Sequence, residues 1–415
     1  GGRNLGANLK LEELTGGNPL ESMEGAVPGI AGVVQVAWWP AEKPEQRQAS
    51  DWLPVAPDKD FTCQYLLEGL QPDTVYQVEV QGKPIHADTA TCTVQGHFTT
   101  AVLPSEEKEV SFVVVTCGDY PRRDDPEKGH KIYDAMLKLN PDFFVHTGDI
   151  EYYDKALPFA PHPALARFKW NRFFAMPYQR DFFCNVASYF MKDDHDTLRN
   201  DCWPGMTYGA LTWEQGLAIF REQVPMGEKT YRTVRWGKDV QIWMVEGRDF
   251  RSPTTMRDGP EKSIWGKEQK AWFMRTVQES DAAFRILISP TPLVGPDRDS
   301  KHDNHSNSDF AHEGTELRYF LASMKNMIVI NGDRHWQYVS VDDETGLQEF
   351  GTGPSSDQHA GGWDQEDFLP EHRYLKLKGG FLHVNVSRQD GIPQMVVTHH
   401  GVTGEKYNEV ILKAK

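Results

Sequence analysis

The chain has 415 residues, more than a single hydrophobic core usually supports, so one large domain with a smaller companion is expected. Hydrophobic residues at 39%, charged residues at 25% and an aromatic set of 12 Trp, 21 Phe and 14 Tyr exclude a disordered chain. The formal net charge of −16 argues against nonspecific nucleic-acid binding, no apolar run is long enough to span a bilayer, and an acidic protein acting on anions would need metals locally.

Residues 1–28 are rich in Gly, Asn and Glu without periodicity and are expected to be a loosely packed lead-in. The start at Gly1-Gly2-Arg3, without an initiator Met, is what removal of an upstream export segment would leave. Residues 29–100 alternate short strands and turns, among them Val33–Trp39, Cys63–Leu66 and Thr74–Val80, which predicts a small β-sandwich. Residues 101–108 are a polar linker, and a second unit runs over 109–415. Five cysteines are too few for a disulfide scaffold. Cys63 with Cys92 and Cys184 with Cys202 are possible pairs in an exported protein, and five buried thiols are the alternative.

In the second unit the continuous apolar run Val110–Thr116 predicts a strand covered on both faces, ending at Cys117-Gly118-Asp119. An amphipathic helix over Glu127–Leu139 leads into a second strand, Phe143–Val145, which stops at Gly148-Asp149 before Tyr152. Strand, helix, strand implies a parallel pair. Further strands end at Asp193-Asp194-His195-Asp196, at Glu246-Gly247-Arg248-Asp249 and at Asn331-Gly332-Asp333-Arg334-His335. Helices are expected over Trp265–Glu279 and Glu313–Lys325, a buried strand over Phe284–Ile288, and closing β-structure beyond Leu347. Four of these ends carry candidate ligands: Cys117 with Asp119, Asp149 with Tyr152, Asp194 with His195, and Asp333 with His335. Open α/β sheets gather ligands beyond the carboxyl ends of their strands, so these ends are expected to converge on a metal site.

Cys117-Gly118-Asp119, Gly148-Asp149-Ile150-Glu151-Tyr152, Asp193-Asp194-His195-Asp196 with Asn200-Asp201, and Gly332-Asp333-Arg334-His335 resemble the ordered motifs of the PhoD-type alkaline phosphatases, members of the calcineurin-like metallophosphoesterases. The first unit resembles that family's amino-terminal domain, with a fibronectin type III-like stretch at Leu70–Tyr76. The resemblance implies an α/β metallophosphatase, its central β-sheets flanked by helices and preceded by a small all-β sandwich. It implies that Cys117, Asp149, Tyr152 and His335 bind a first metal, that Asp149 bridges to a second, and that Asp194 and Asp333 hold the second. The wider superfamily has Asp where Cys117 stands, which leaves Asp119 as the alternative first-metal ligand. The strand Arg285–Ser289 lacks the His that many relatives place at its end, and Asn200, Asp303 and His305 are the candidates to replace it or to contact substrate.

Thiolate, phenolate and carboxylate on one ion suit Fe3+, and an oxygen-rich partner suits Ca2+, Mg2+, Mn2+ or Zn2+. The resemblance implies hydrolysis of small-molecule phosphate mono- or diesters by a hydroxide bridging two metals, with His195 protonating the leaving oxygen. Arg334 would steady the phosphoryl oxygens or support Asp333. Other tetrahedral esters, such as sulfates or phosphotriesters, are the nearest alternative. An inactive secreted adhesion protein is the alternative from another class.

Overall fold

A computed structural model describes residues 5–415 of the chain; Gly1-Gly2-Arg3 lie outside the described residues. Two sheets organise the second unit. One has six strands in the order Lys406–Lys413, Ile392–His400, Phe381–Gln389, Val110–Val115, Phe143–His146, Ala187–Phe190. Its last three strands run parallel to one another. The other has seven, in the order Arg232–Trp236, Val240–Met244, Phe284–Ser289, Met327–Asn331, Gln348–Gly351, Gln337–Val341, His372–Lys376, and its centre is parallel.

The two-residue period of a strand decides what each face buries. Phe112, Val114, Phe143 and Val145 share one core cluster with Ile242, Met244, Ile286, Ile288, Ile328 and Ile330, so the two sheets pack face to face. The intervening residues Val113, Val115 and Phe144 turn outward into a second cluster with Ile132, Trp170 and Phe173 of the helices Lys131–Leu137 and Pro163–Ala175. On the far side Trp243, Leu287 and Val329 pack against Phe273, Val277, Leu317 and Leu321 of the helices Gly266–Glu279 and Ala311–Ser323. The result is helix, sheet, sheet, helix, with each central strand buried on both faces as its unbroken apolar run requires. The four expected strand ends therefore come from two sheets.

Residues 29–100 form one antiparallel five-stranded sheet, built on the long pair Gly32–Pro40 and Val75–Pro84, and not the expected sandwich of two facing sheets, because both short strands Gln48–Ala49 and Leu53–Val55 pair with Gly32–Pro40. Cys63–Leu66 is not a strand in it, because that segment turns away, with Gln64 donating to the carbonyls of Arg221 and Val224 in the second unit. Tyr76 is buried and its hydroxyl accepts the Gln71 N–H at 2.9 Å, tying the preceding turn to the strand. The lead-in is docked rather than loose. Ala7 is buried in the cluster that holds Trp170 and Phe173, and Tyr208 donates to the Leu5 carbonyl. All five cysteines are unpaired, with Cys117 and Cys202 buried. No helix among the described residues is long and apolar enough to cross a membrane.

Candidate metal centre

The strands Val110–Val115, Phe143–His146 and Met327–Asn331 each end in a tight turn that sets a non-glycine residue in the left-handed region: Cys117 at φ 52°, Asp149 at φ 58° and Asp333 at φ 62°. Such residues are disfavoured outside glycine and cluster where side chains must be aimed. Two glycines make the close approach possible. Gly148 has φ 116°, and a Cβ there would stand 2.7 Å from the Asp193 nitrogen. At Gly332 a Cβ would stand 2.1 Å from Thr147 Oγ1 and 2.5 Å from Thr116 Oγ1, which itself accepts the Asp333 N–H at 3.1 Å. Both threonines are fully buried, so Gly332→Ala is expected to cost about 1–3 kcal/mol by overpacking and to displace Asp333. Thermal unfolding would show a clear drop in Tm. An unchanged Tm would mean that the two turns tolerate separation.

The turns bring side chains from both sheets into four groups whose donor atoms lie within 4.8 Å of one another: Cys117, Asp149 and His335; Asp149, Asp194 and His195; Asp149, Asp193 and Asp333; and Asp194, Asp201 and Asp303. Asp149 belongs to three of the four. One of its oxygens accepts the Tyr152 hydroxyl at 3.1 Å and lies 3.8 Å from Cys117 Sγ, while the other accepts the His195 N–H at 3.3 Å. The Tyr152 hydroxyl is 3.4 Å from His335 Nε2.

Around Asp149, burial and crowded carboxylates outweigh the positive charge that Arg248 brings. Burial, then the neighbouring Asp194, Asp193 and Asp196, push the Asp149 carboxyl well above its ordinary range; burial and Asp149 do the same to the Cys117 thiol and the Tyr152 phenol. Asp193 Oδ2, Asp194 Oδ1 and Asp303 Oδ1 are buried and accept no hydrogen bond. A buried set of carboxylate, thiol, phenol and imidazole with unpaired acceptors fits cations, which would supply the missing charge.

The remaining candidates separate clearly. Asp119 lies outside the four groups, 3.3 Å from Arg122, because its strand-end turn sends Cys117 and Asp119 in different directions. His305 Nε2 donates to Glu313, 3.0 Å away, against Trp265, and lies outside the four groups. Asp303 is held by Arg248 at 2.9 Å, and Arg248 also binds Asp193 and approaches Asp194 at 3.7 Å. Burial opposes ionisation of Asp194, yet Arg248 and His195 outweigh it and hold its carboxyl below the usual range. Asn200 gives its backbone N–H to Asp154 at 3.0 Å. Arg334 is buried with its guanidinium spanning Asp297 and Asp333.

Four residues at the site were not singled out by sequence reasoning, among them Asp201, which joins Asp194 and Asp303. Asp154 receives His195 Nδ1 at 2.5 Å. Burial works against the charged imidazole, but Asp154 and Asp194 overcome it and raise the His195 pKa. Asp193 contributes to the group with Asp149 and Asp333. His359, on the loop after Gln348–Gly351, places its ring 4.2 Å from that of His335 and 5.1 Å from that of Tyr152. Asp154 carried a faint signal, as a carboxylate in the same turn as Asp149 and Tyr152. His359 carried none.

A profile of the PhoD-like phosphatases matches residues 112–390. Among solved structures, PhoD superposes with a TM-score of 0.73 at 16% identity, over 96% of this chain and 84% of that one. The purple acid phosphatase PPD1 from yellow lupin (Lupinus luteus) seeds superposes with a TM-score of 0.66 at 12% identity, over 92% of this chain and 70% of that one. At such identities the structural likeness is one of fold. No curated protein matches the chain.

Proposed function

Since this chain belongs to the PhoD-like phosphatase family and is a metal-dependent phosphoesterase, we propose that Cys117, Asp149, Tyr152 and His335 hold one ion of a binuclear centre, and Asp149, Asp194 and Asp333 the other. The observation that carries this reading is the place of Asp149, common to the group with Cys117 and His335 and to the groups with Asp194 and with Asp333. When bound, the metal pair would neutralise the phosphoryl oxygens and acidify a water for attack on phosphorus.

The protein's own residues supply the rest. His195 has Nδ1 committed to Asp154, so Nε2 is the atom from which it delivers a proton to the leaving oxygen. Its ring lies 4.3 Å from that of Tyr152, which confines the imidazole to one side of the site. Arg334, engaged by Asp297 and Asp333, positions Asp333 rather than the phosphoryl group. Arg248 does the same for Asp193 and Asp303. Asp119, paired with Arg122, is left out of the first-metal set in favour of Cys117.

Residues 29–100 are assigned as a fibronectin type III-like companion to a catalytic unit over 109–415. The Tyr76 hydroxyl bond to Gln71, two residues before the turn's Asp73, supports that resemblance.

Thiolate and phenolate donors favour Fe3+ beside Asp149, with Ca2+ or another oxygen-seeking divalent ion as its companion. Iron-loaded protein is therefore expected to be coloured, through charge transfer from Tyr152 and Cys117, and Tyr152→Phe should shift or abolish the visible band. A colourless iron-loaded protein would remove both residues from the iron site.

A further inference from the structure

His359 is buried at 3% exposure, and its Nδ1 lies 3.2 Å from the Gly118 carbonyl oxygen, which can only accept. The neutral ring therefore carries its proton on Nδ1 and presents a lone pair at Nε2. That Nε2 is buried and has no protein partner, although the ring lies against His335 and Tyr152. A buried acceptor without a partner is costly. A ligand that brings a hydrogen-bond donor to this corner would satisfy it. Nor does His359 join any of the four donor groups, which separates it from the proposed metal ligands.

We infer that His359 Nε2 accepts a hydrogen bond from the P–OH of a phosphate monoester, and so tilts the site toward monoesters over diesters. The inference rests on the proposed metal centre, whose ion at Tyr152 and His335 would hold the phosphoryl group beside His359. The monoanion of a monoester, the form present below a second pKa of about 6, keeps one P–OH that an acceptor can take up. In a diester the second ester bond replaces that hydrogen, so the lone pair of Nε2 faces oxygen atoms with nothing to donate. The Gly118 carbonyl fixes the ring from the same turn that carries Cys117, so the acceptor is held in register with the metal-binding loop. The sequence alone leaves mono- and diester substrates equal; this atom distinguishes them.

The test compares His359→Ala and His359→Gln with the native protein on nitrophenyl phosphate and bis(nitrophenyl) phosphate, at a pH below about 6 where the monoester keeps its P–OH. Metal content per chain and the Kd of inorganic phosphate are measured alongside, the latter by calorimetry. Loss of one such hydrogen bond should lower the monoester-to-diester ratio of kcat/KM about tenfold in His359→Ala and weaken phosphate binding by a similar factor. His359→Gln, whose amide oxygen falls near the Nε2 position, should recover part of both, with metal content equal in all three proteins. Equal losses on the two esters, or loss of metal, would overturn the inference by making His359 a structural or ligating residue. A metal-loaded native protein that turns over neither ester would overturn the metal-site reading as well, whereas an active native protein with an unshifted ratio in His359→Ala would overturn the role of His359 alone.

Discussion

Asp149→Asn is expected to lose metal and to fall in kcat by on the order of a thousandfold or more. Changing a group that merely supports a ligand typically costs about 10–100-fold, and Asp149 lies in three of the four donor groups, so its loss must cost more. The substitution keeps the side chain's shape and removes its charge. It also replaces one acceptor with an amide donor, where Asp149 now accepts from both Tyr152 and the His195 N–H. With one amide oxygen, only one of those contacts can survive in its present form. Relief of the crowded carboxylates should keep the protein folded, since burial and Asp194, Asp193 and Asp196 already disfavour the charged form. Elemental analysis with far-UV circular dichroism separates the outcomes: native secondary structure with depleted metal is expected, and full metal content with full activity would refute the bridging position.

His195→Asn should lower kcat by about 10²–10⁴-fold while metal content stays native. The leaving group is the sharper readout. Nitrophenolate departs without help, whereas an alkoxide needs a proton, so the loss should be much larger on an alkyl phosphate than on nitrophenyl phosphate. Asp154→Asn should follow the same pattern more weakly, because Asp154 both orients Nδ1 and stabilises the imidazolium. The pH dependence has a defined sign. The folded pKa of His195 is raised, the acid form is the working one, and activity is lost as pH rises through that pKa; His195→Asn should erase this alkaline limb. An equal loss on both leaving groups, with the limb intact, would take the proton-donor role away from His195.

Much of the site could be read in the sequence because the central strands are buried on both faces. Phe112–Val115 and Met327–Ile330 appear as unbroken apolar runs, and each run stops where its chain turns toward the ligands. The same property hid the architecture from the residue pattern: a strand covered on both sides looks alike whether a helix or another sheet covers it, so the expectation of more than one central sheet came from the family resemblance alone. The helix Pro163–Ala175 was missed for a related reason. Lys169 and Arg172 interrupt its apolar pattern yet are buried, with Lys169 donating to the Tyr152 carbonyl and lying 3.8 Å from Glu151. Tertiary partners hold those charges inside, and a local pattern cannot announce them. Asp154 and His359 show the same limit. Each takes its meaning from a contact distant in the chain, His195 in one case and Gly118 in the other.

Backbone geometry favours Cys117 over Asp119 as the proposed ligand. Both residues have positive φ, at 52° and 78°, and the turn places the thiol with Asp149 and His335 while Asp119 meets Arg122. A family motif names both residues but does not give the direction in which either points.

The central claim is a metal pair held around Asp149, and the direct measurement is elemental analysis of active protein, paired with nitrophenyl phosphate turnover before and after chelation. A stoichiometric pair of ions per chain is expected, with activity lost on their removal and restored on their return. Protein free of metal that turns over the ester at its full rate would contradict it.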